Sequence, residues 1–165
     1  MMTKTAAKKR TLPVAQTHLK KGDWSGPAEV CLLNYEGRFL RRKRLETVEG
    51  RPFIVDLPHT TSLEDGDALA LDDGSLVYVR AAEESLLRVG GPDLARLAWH
   101  IGNRHTPCQI TEDYLLIQND PVIGHMLEHV GAKLTEVTAP FTPEGGAYGM
   151  GRTHSHEHGQ TAHDH

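Results

Sequence analysis

Histidine is the residue type in this chain most able to do chemistry: there are 11 in 165 residues, and five of them lie in the last twelve positions. His154, His156, His158, His163 and His165 are set among small, polar and acidic residues in the segment GRTHSHEHGQTAHDH. A neutral imidazole nitrogen is a borderline ligand that suits Ni, Zn, Cu and Co. Ligands two residues apart on an unstructured chain can wrap one ion with little strain. The interleaved Ser, Glu, Gln and Asp set the segment apart from the uninterrupted histidines of an expression tag. The pattern therefore reads as native metal binding, without choosing the metal.

A second candidate is His100-Ile101-Gly102-Asn103-Arg104-His105. Gly102 and Asn103 weaken the helix expected before them and mark its end, so His105 falls just beyond it, where its ring can reach the surface. Taken alone, such a histidine is more often structural or solvated than a ligand, and one imidazole cannot hold a metal tightly. Two copies related by a twofold axis could, because an isologous interface repeats each residue on both subunits. His100, five residues earlier, could be a second ligand or a helix-packing residue, and the packing reading is preferred. His125 and His129 form an i, i+4 pair able to chelate one ion from a helix face. The helical wheel puts both at the edge of the apolar stripe, and a hydrated surface is the preferred reading there. His18 and His59 are isolated and receive no role.

The remaining candidates are weaker. Arg38, Arg41, Arg42, Lys43 and Arg44 form a basic cluster with no interleaved aromatics of the kind that stack on bases, and read as a solvated strand face. Cys31 and Cys108 lie in apolar contexts and read as reduced buried thiols. There is no nucleophile elbow, no phosphate-binding Gly-Lys-Ser/Thr loop and no HExxH motif, so no catalytic residue is assigned and the chain is read as a non-enzyme. A net charge of −4 argues against nucleic acid as the main partner. No apolar run approaches the roughly 20 residues of a membrane span. The basic start lacks an apolar stretch, so no secretory signal is read and a cytoplasmic location is expected.

The elements that must position these residues follow from periodicity. Residues 1–20 carry basic charge and little apolar surface, and read as a disordered extension. From Ala28 to Arg80 short strands alternate with turns: PFIVDL puts Phe53, Val55 and Leu57 on one face, and ALALDDGSLVYVR is a hairpin turning at Asp72-Asp73-Gly74. A small sandwich or barrel is the expected product. ESLLRV then reads as a strand, followed by a helix through Leu94, Leu97, Ala98 and Ile101 with Pro92 and Asp93 at its first turn. CQIT and YLLIQ read as strands, and Asp120-Pro121 starts a helix that stops at Gly131. KLTEVTAPF is the last strand. The order β-α-β-β-α-β predicts a ferredoxin-like domain. The fold class is α+β: residues 21–82 as a small all-β domain, 83–146 as a ferredoxin-like metal-binding domain, and 147–165 as a flexible His-rich tail.

The segments LARLAWHIGNRHTPCQI, Gly-Ala-Lys after the next helix, and PFTPEGGAYG before the tail are similar to those of the UreE family of urease accessory proteins. The resemblance runs from about Ala28 to the terminus and is looser in the amino-terminal half, where GDALALDDG and VYVRAAEE carry it. It implies a β-rich module that binds peptide or partner protein, and a metal-binding domain that pairs into a homodimer. It also implies that His105 of both subunits holds one Ni(II), with tail histidines supplying further ligands. Zn(II) or Cu(II) would compete at the same sites. The implied function is delivery of nickel for urease active-site assembly, through the urease GTPase UreG and the other accessory proteins acting on apo-urease. Nickel or zinc storage is the alternative. Leu115 to Pro121 contains no histidine, a departure from relatives that carry extra histidines there.

Overall fold

The structure, a computed structural model, describes residues 11–145. The chain divides into two compact units after Ala81.

The first unit contains β1 (Val14–Leu19), β2 (Glu29–Leu33), a 3-10 turn at Glu36–Arg38, β3 (Phe39–Glu46), β4 (Pro52–Ser62), β5 (Ala68–Leu71) and β6 (Leu76–Ala81). They form one sheet in the order β2-β6-β5-β1-β4-β3, in which β1 runs parallel to β4 and β2 parallel to β6. Alternation decides the inner face: Phe53, Val55 and Leu57 are buried together with Leu69, Leu71, Val77 and Val79. The expected hairpin turns with Gly74 at φ 89°, a conformation in which a side chain would be strained. The two edges of the sheet also meet. Val48 donates its backbone N–H to Val30 O at 2.7 Å, and the Cys31 thiol donates to Glu46 O at 3.4 Å. The sheet is thus curled towards closure, the barrel-like outcome of the two expected.

The disordered extension drawn over residues 1–20 requires correction, because Val14–Leu19 is an inner strand hydrogen-bonded to both β4 and β5. Its sequence, VAQTHL, is half polar with no apolar alternation, and so looked unable to offset its ordering by burial. Only Ala15 needs to face the core, and two strand partners satisfy its backbone. Residues 1–10 lie outside the described residues. His18, which had no role, hydrogen-bonds through Nε2 to Asp67 Oδ2 at 2.7 Å. Asp67 is 2% exposed and also accepts backbone N–H bonds from Lys21 and Glu64, both at 2.9 Å. It ties the end of β1 to the turn before β5.

The second unit contains β7 (Glu83–Gly90), α1 (Leu94–Asn103), β8 (Gln109–Ile110), β9 (Leu115–Gln118), α2 (Pro121–His129) and β10 (Lys133–Pro140). Its sheet has the order β10-β7-β9-β8 with every pairing antiparallel. Leu87, Val89, Leu115 and Ile117 share one face and pack with Leu97 and Ile101 of α1 and Ile123 and Leu127 of α2. Asp120 caps α2 by accepting from the N–H groups of Val122 and Ile123, with Pro121 in the first position. Asp93 caps α1 by accepting from Arg96 N–H at 3.1 Å. Pro92 therefore sits outside α1 and not in its first turn. No helix among the described residues is long and apolar enough to cross a membrane.

Burial pushes the Asp67 carboxyl upward, but hydrogen bonds from His18 and from the Glu64 and Lys21 backbone, with the attraction of His18, hold it below its usual value. A carboxylate with a depressed folded pKa contributes stability that is present above the unfolded value of about 3.9 and is lost as pH falls through the folded one. Unfolding followed by Trp fluorescence should therefore show a stability loss below about pH 4 that Asp67→Asn removes. At neutral pH the same substitution should cost about 1–3 kcal/mol, because donors lose a charged acceptor.

Candidate metal centre

The centre is best built from the end of α1. After Asn103 the chain makes three linked backbone bonds: Arg104 N–H to Ile101 O at 3.1 Å, His105 N–H to Gly102 O at 2.9 Å, and Thr106 N–H to Ile101 O at 3.3 Å. The last two are the 5→2 and 6→1 bonds of a Schellman helix stop, which needs a left-handed residue at its turning point. That residue is His105, with φ 57°, the one non-glycine residue of positive φ among those described.

The end of α2 provides an internal control. Gly131 N–H donates to Glu128 O at 3.1 Å and Ala132 N–H to Leu127 O at 3.0 Å, the same two bonds, and here the turning residue is a glycine at φ 95°. A left-handed conformation costs an L-residue roughly 1–2 kcal/mol, although histidine is among the types found there more often. The first helix thus accepts a backbone cost that the second avoids. Strain kept where glycine would relieve it points to a role for the side chain. The imidazole at that position is exposed, as expected from its place beyond the helix.

The same stretch receives the chain on its way to the tail. Phe141 is fully buried, Thr142 N–H donates to Gln109 Oε1 at 2.8 Å, and Glu144 N–H donates to Cys108 O at 2.9 Å. Cys108 lies three residues after His105. Sequence reading missed this anchor, although the apolar Phe141 behind a proline was a signal for it.

The other histidines separate clearly. His100 is half-buried on α1 with its ring edge-on to Trp99, centroids 5.1 Å apart, which agrees with a packing role. His125 and His129 are both exposed, as expected, with centroids 4.9 Å apart. His59 is exposed on β4. His154, His156, His158, His163 and His165 lie outside the described residues. Among the described residues no three His, Cys, Asp or Glu side chains come together as a metal group.

The two cysteines are free thiols. Burial pushes Cys31 up to about 11, and burial with the negative Glu144 does the same to Cys108. Both stay protonated at neutral pH, when metal ligation needs the thiolate.

The basic cluster dissolves into separate roles. Arg38 is 2% exposed and donates to Leu63 O and Leu33 O at 3.1 and 3.0 Å, so it is an interior brace. Arg41, Arg42, Lys43 and Arg44 are exposed on β3, with Arg42 paired to Asp56 and Arg44 to Glu46, both at 3.2 Å.

Comparison with known proteins places both units. The family profile of the UreE urease accessory protein, N-terminal domain, matches residues 8–82, and that of its C-terminal domain matches residues 83–165. The chain is 61% identical over 147 residues to the urease accessory protein UreE of Ruegeria pomeroyi, covering 89% of this chain and 99% of the relative. It is 59% identical over 149 residues to that of Cereibacter sphaeroides, covering 90% and 81%. With that of Rhodobacter capsulatus it shares 55% over 141 residues, covering 86% and 90%.

If His105 is kept at the helix stop for its ring, glycine should suit the backbone at least as well. His105→Gly should leave the urea midpoint unchanged or raise stability by about 0.5–1 kcal/mol. A loss of stability beyond about 1 kcal/mol would mean that the ring is held for packing.

Proposed function

The chain belongs to the UreE family of urease accessory proteins, and on that premise we propose that it is a metallochaperone that carries Ni(II) for urease assembly. As an accessory protein it is not an enzyme. In this reading two copies pair through a ferredoxin-like metal-binding domain, and His105 of each supplies one imidazole to a shared ion. Histidines of the tail complete the coordination, and the loaded dimer passes nickel to the GTPase UreG in the cytoplasm.

The observation that carries the reading is the exposed imidazole of His105 on a left-handed helix stop where glycine would cost less. Three further features support it. The element order β-α-β-β-α-β with sheet order β10-β7-β9-β8 is that of a ferredoxin-like domain. Trp99, on the helix that ends at His105, is 62% exposed, and Ile110 is 51% exposed, which is apolar surface that a second copy would cover. Glu144 is tied to Cys108, and only ten residues separate Glu144 from His154, a contour of at most ~36 Å. Tethering at this range raises the local concentration of the tail imidazoles around His105.

Nickel here is cargo, so binding must be reversible. A coordination sphere built from imidazoles of separate chains stays open to an incoming ligand, and a partner can attack before the old ligands leave. By the Irving–Williams order Cu(II) binds such nitrogens more strongly than Ni(II), so selectivity rests on metal supply and on the receiving protein.

Equilibrium nickel titration with sedimentation tests the reading on three proteins: the intact chain, His105→Gly, and a chain ending at Ala147. The intact protein should be dimeric with one tight ion per dimer. His105→Gly should lose that ion and keep weaker sites, whereas the shortened chain should keep it with affinity lowered about tenfold or more. A tight site unchanged in His105→Gly would reject the assignment. Nickel that does not pass to GTP-loaded UreG would favour storage over delivery.

A further inference from the structure

α2 carries a pair of histidines that the His105 site does not use. His125 and His129 stand one helical turn apart, both exposed, while Ile123 and Leu127 anchor the helix in the core. Asp120 fixes the start of this helix and the glycine stop at Gly131 fixes its end, so the two Cβ positions are held before any ligand arrives.

The ring spacing is that of a chelate. An imidazole nitrogen bonds a first-row divalent ion at about 2.0–2.1 Å, so each ring centre lies roughly 3.2 Å from the ion, and rings subtending roughly 90–109° stand ~4.5–5.2 Å apart. The observed centroid separation is 4.9 Å. The planes are at 84°, edge to face. Rotation about the sp³–sp² torsion, which is soft, aims a nitrogen of each ring at the common point without moving the backbone.

The surroundings favour a cation. His129 is in the last turn of α2, where the negative end of the helix dipole lies, and exposed Glu128 is three residues on from His125, the spacing of neighbours on a helix surface. Because both rings are in water, an ion that docks there keeps most of its hydration.

From this geometry we propose that His125 and His129 form a second metal site, a two-imidazole chelate for a borderline divalent cation such as Ni(II), Cu(II) or Zn(II). Neutral imidazole suits these ions and not Mg(II) or Ca(II), which prefer oxygen. With two protein ligands and the other positions filled by water, the site is labile and exchanges ions quickly. It is independent of the carrier reading, since a chain with any other function would bind there as well.

The test uses the full chain with nickel chloride as the only metal, and reads diethyl pyrocarbonate labelling of each histidine by mass spectrometry. Nickel should slow labelling of His125 and His129 about tenfold, and the protection should persist in His105→Gly. His129→Ala should return His125 to its metal-free labelling rate, and His125→Ala should do the same for His129. Both positions are exposed, so neither substitution removes a packed side chain. Labelling of His125 that ignores nickel would overturn the proposal. So would protection of His125 that survives His129→Ala, because the second ligand would then come from elsewhere.

Discussion

The residue at the C-terminal stop of α1 must turn left-handed, and the placement of the candidate metal centre depends on that one backbone requirement. Ile101 is fully buried, and its carbonyl accepts the N–H groups of both Arg104 and Thr106. The helix end is therefore fixed to the core at one residue, and His105 turns out of it with little freedom in its backbone. A ligand on a loop would scatter over several ångströms. A ligand on a helix stop rooted in the core presents one direction, which is what sharing an ion between two copies demands. The same knot leads into Cys108 and Gln109, which hold the segment that runs towards the histidine tail. One local structure thus sets both His105 and the anchored stretch Phe141 to Glu144.

The first unit is organised around different needs. Its sheet has β2 and β3 at its edges, and unpaired edges invite further strands to add. Bonds between the Val48 turn and β2 cover part of this hazard, and Arg51 reinforces the closure by pairing with Glu29 at 2.9 Å and reaching Asp73 and Ser75. The charged run Arg41 to Arg44 sits on edge strand β3, where it discourages edge-to-edge association. That gives the basic cluster a physical role that needs no nucleic acid.

Much of this was readable from residue order. Alternation in PFIVDL, the Asp72-Asp73-Gly74 turn and the Asp120-Pro121 helix start are local signals, and local signals survive into the fold. VAQTHL failed because a strand with neighbours on both sides is stabilised by backbone pairing and by the His18–Asp67 bond, neither of which leaves an apolar pattern. Arg38 failed for a related reason: the other basic residues of its cluster, Arg41 to Arg44, are exposed, but its guanidinium finds two carbonyls 25 and five residues away. At the candidate site the position of His105 was legible and its strain was not. The clue was the contrast between two helices that stop in the same way, one at Gly131 and the other at His105, and that contrast appears only once the hydrogen bonds are known.

On the proposed function, a histidine fixed by the fold and a histidine-rich terminal sequence would have a physical logic for a carrier. A complete, rigid set of four or more ligands would hold nickel too well to release it, whereas loose imidazoles alone would define no place for a partner to address. In a carrier, an incomplete rigid site would supply the address, and tethered ligands would supply affinity that a competitor can displace one bond at a time. Among the described residues no three His, Cys, Asp or Glu side chains come together, and His105 stands exposed at the stop of α1.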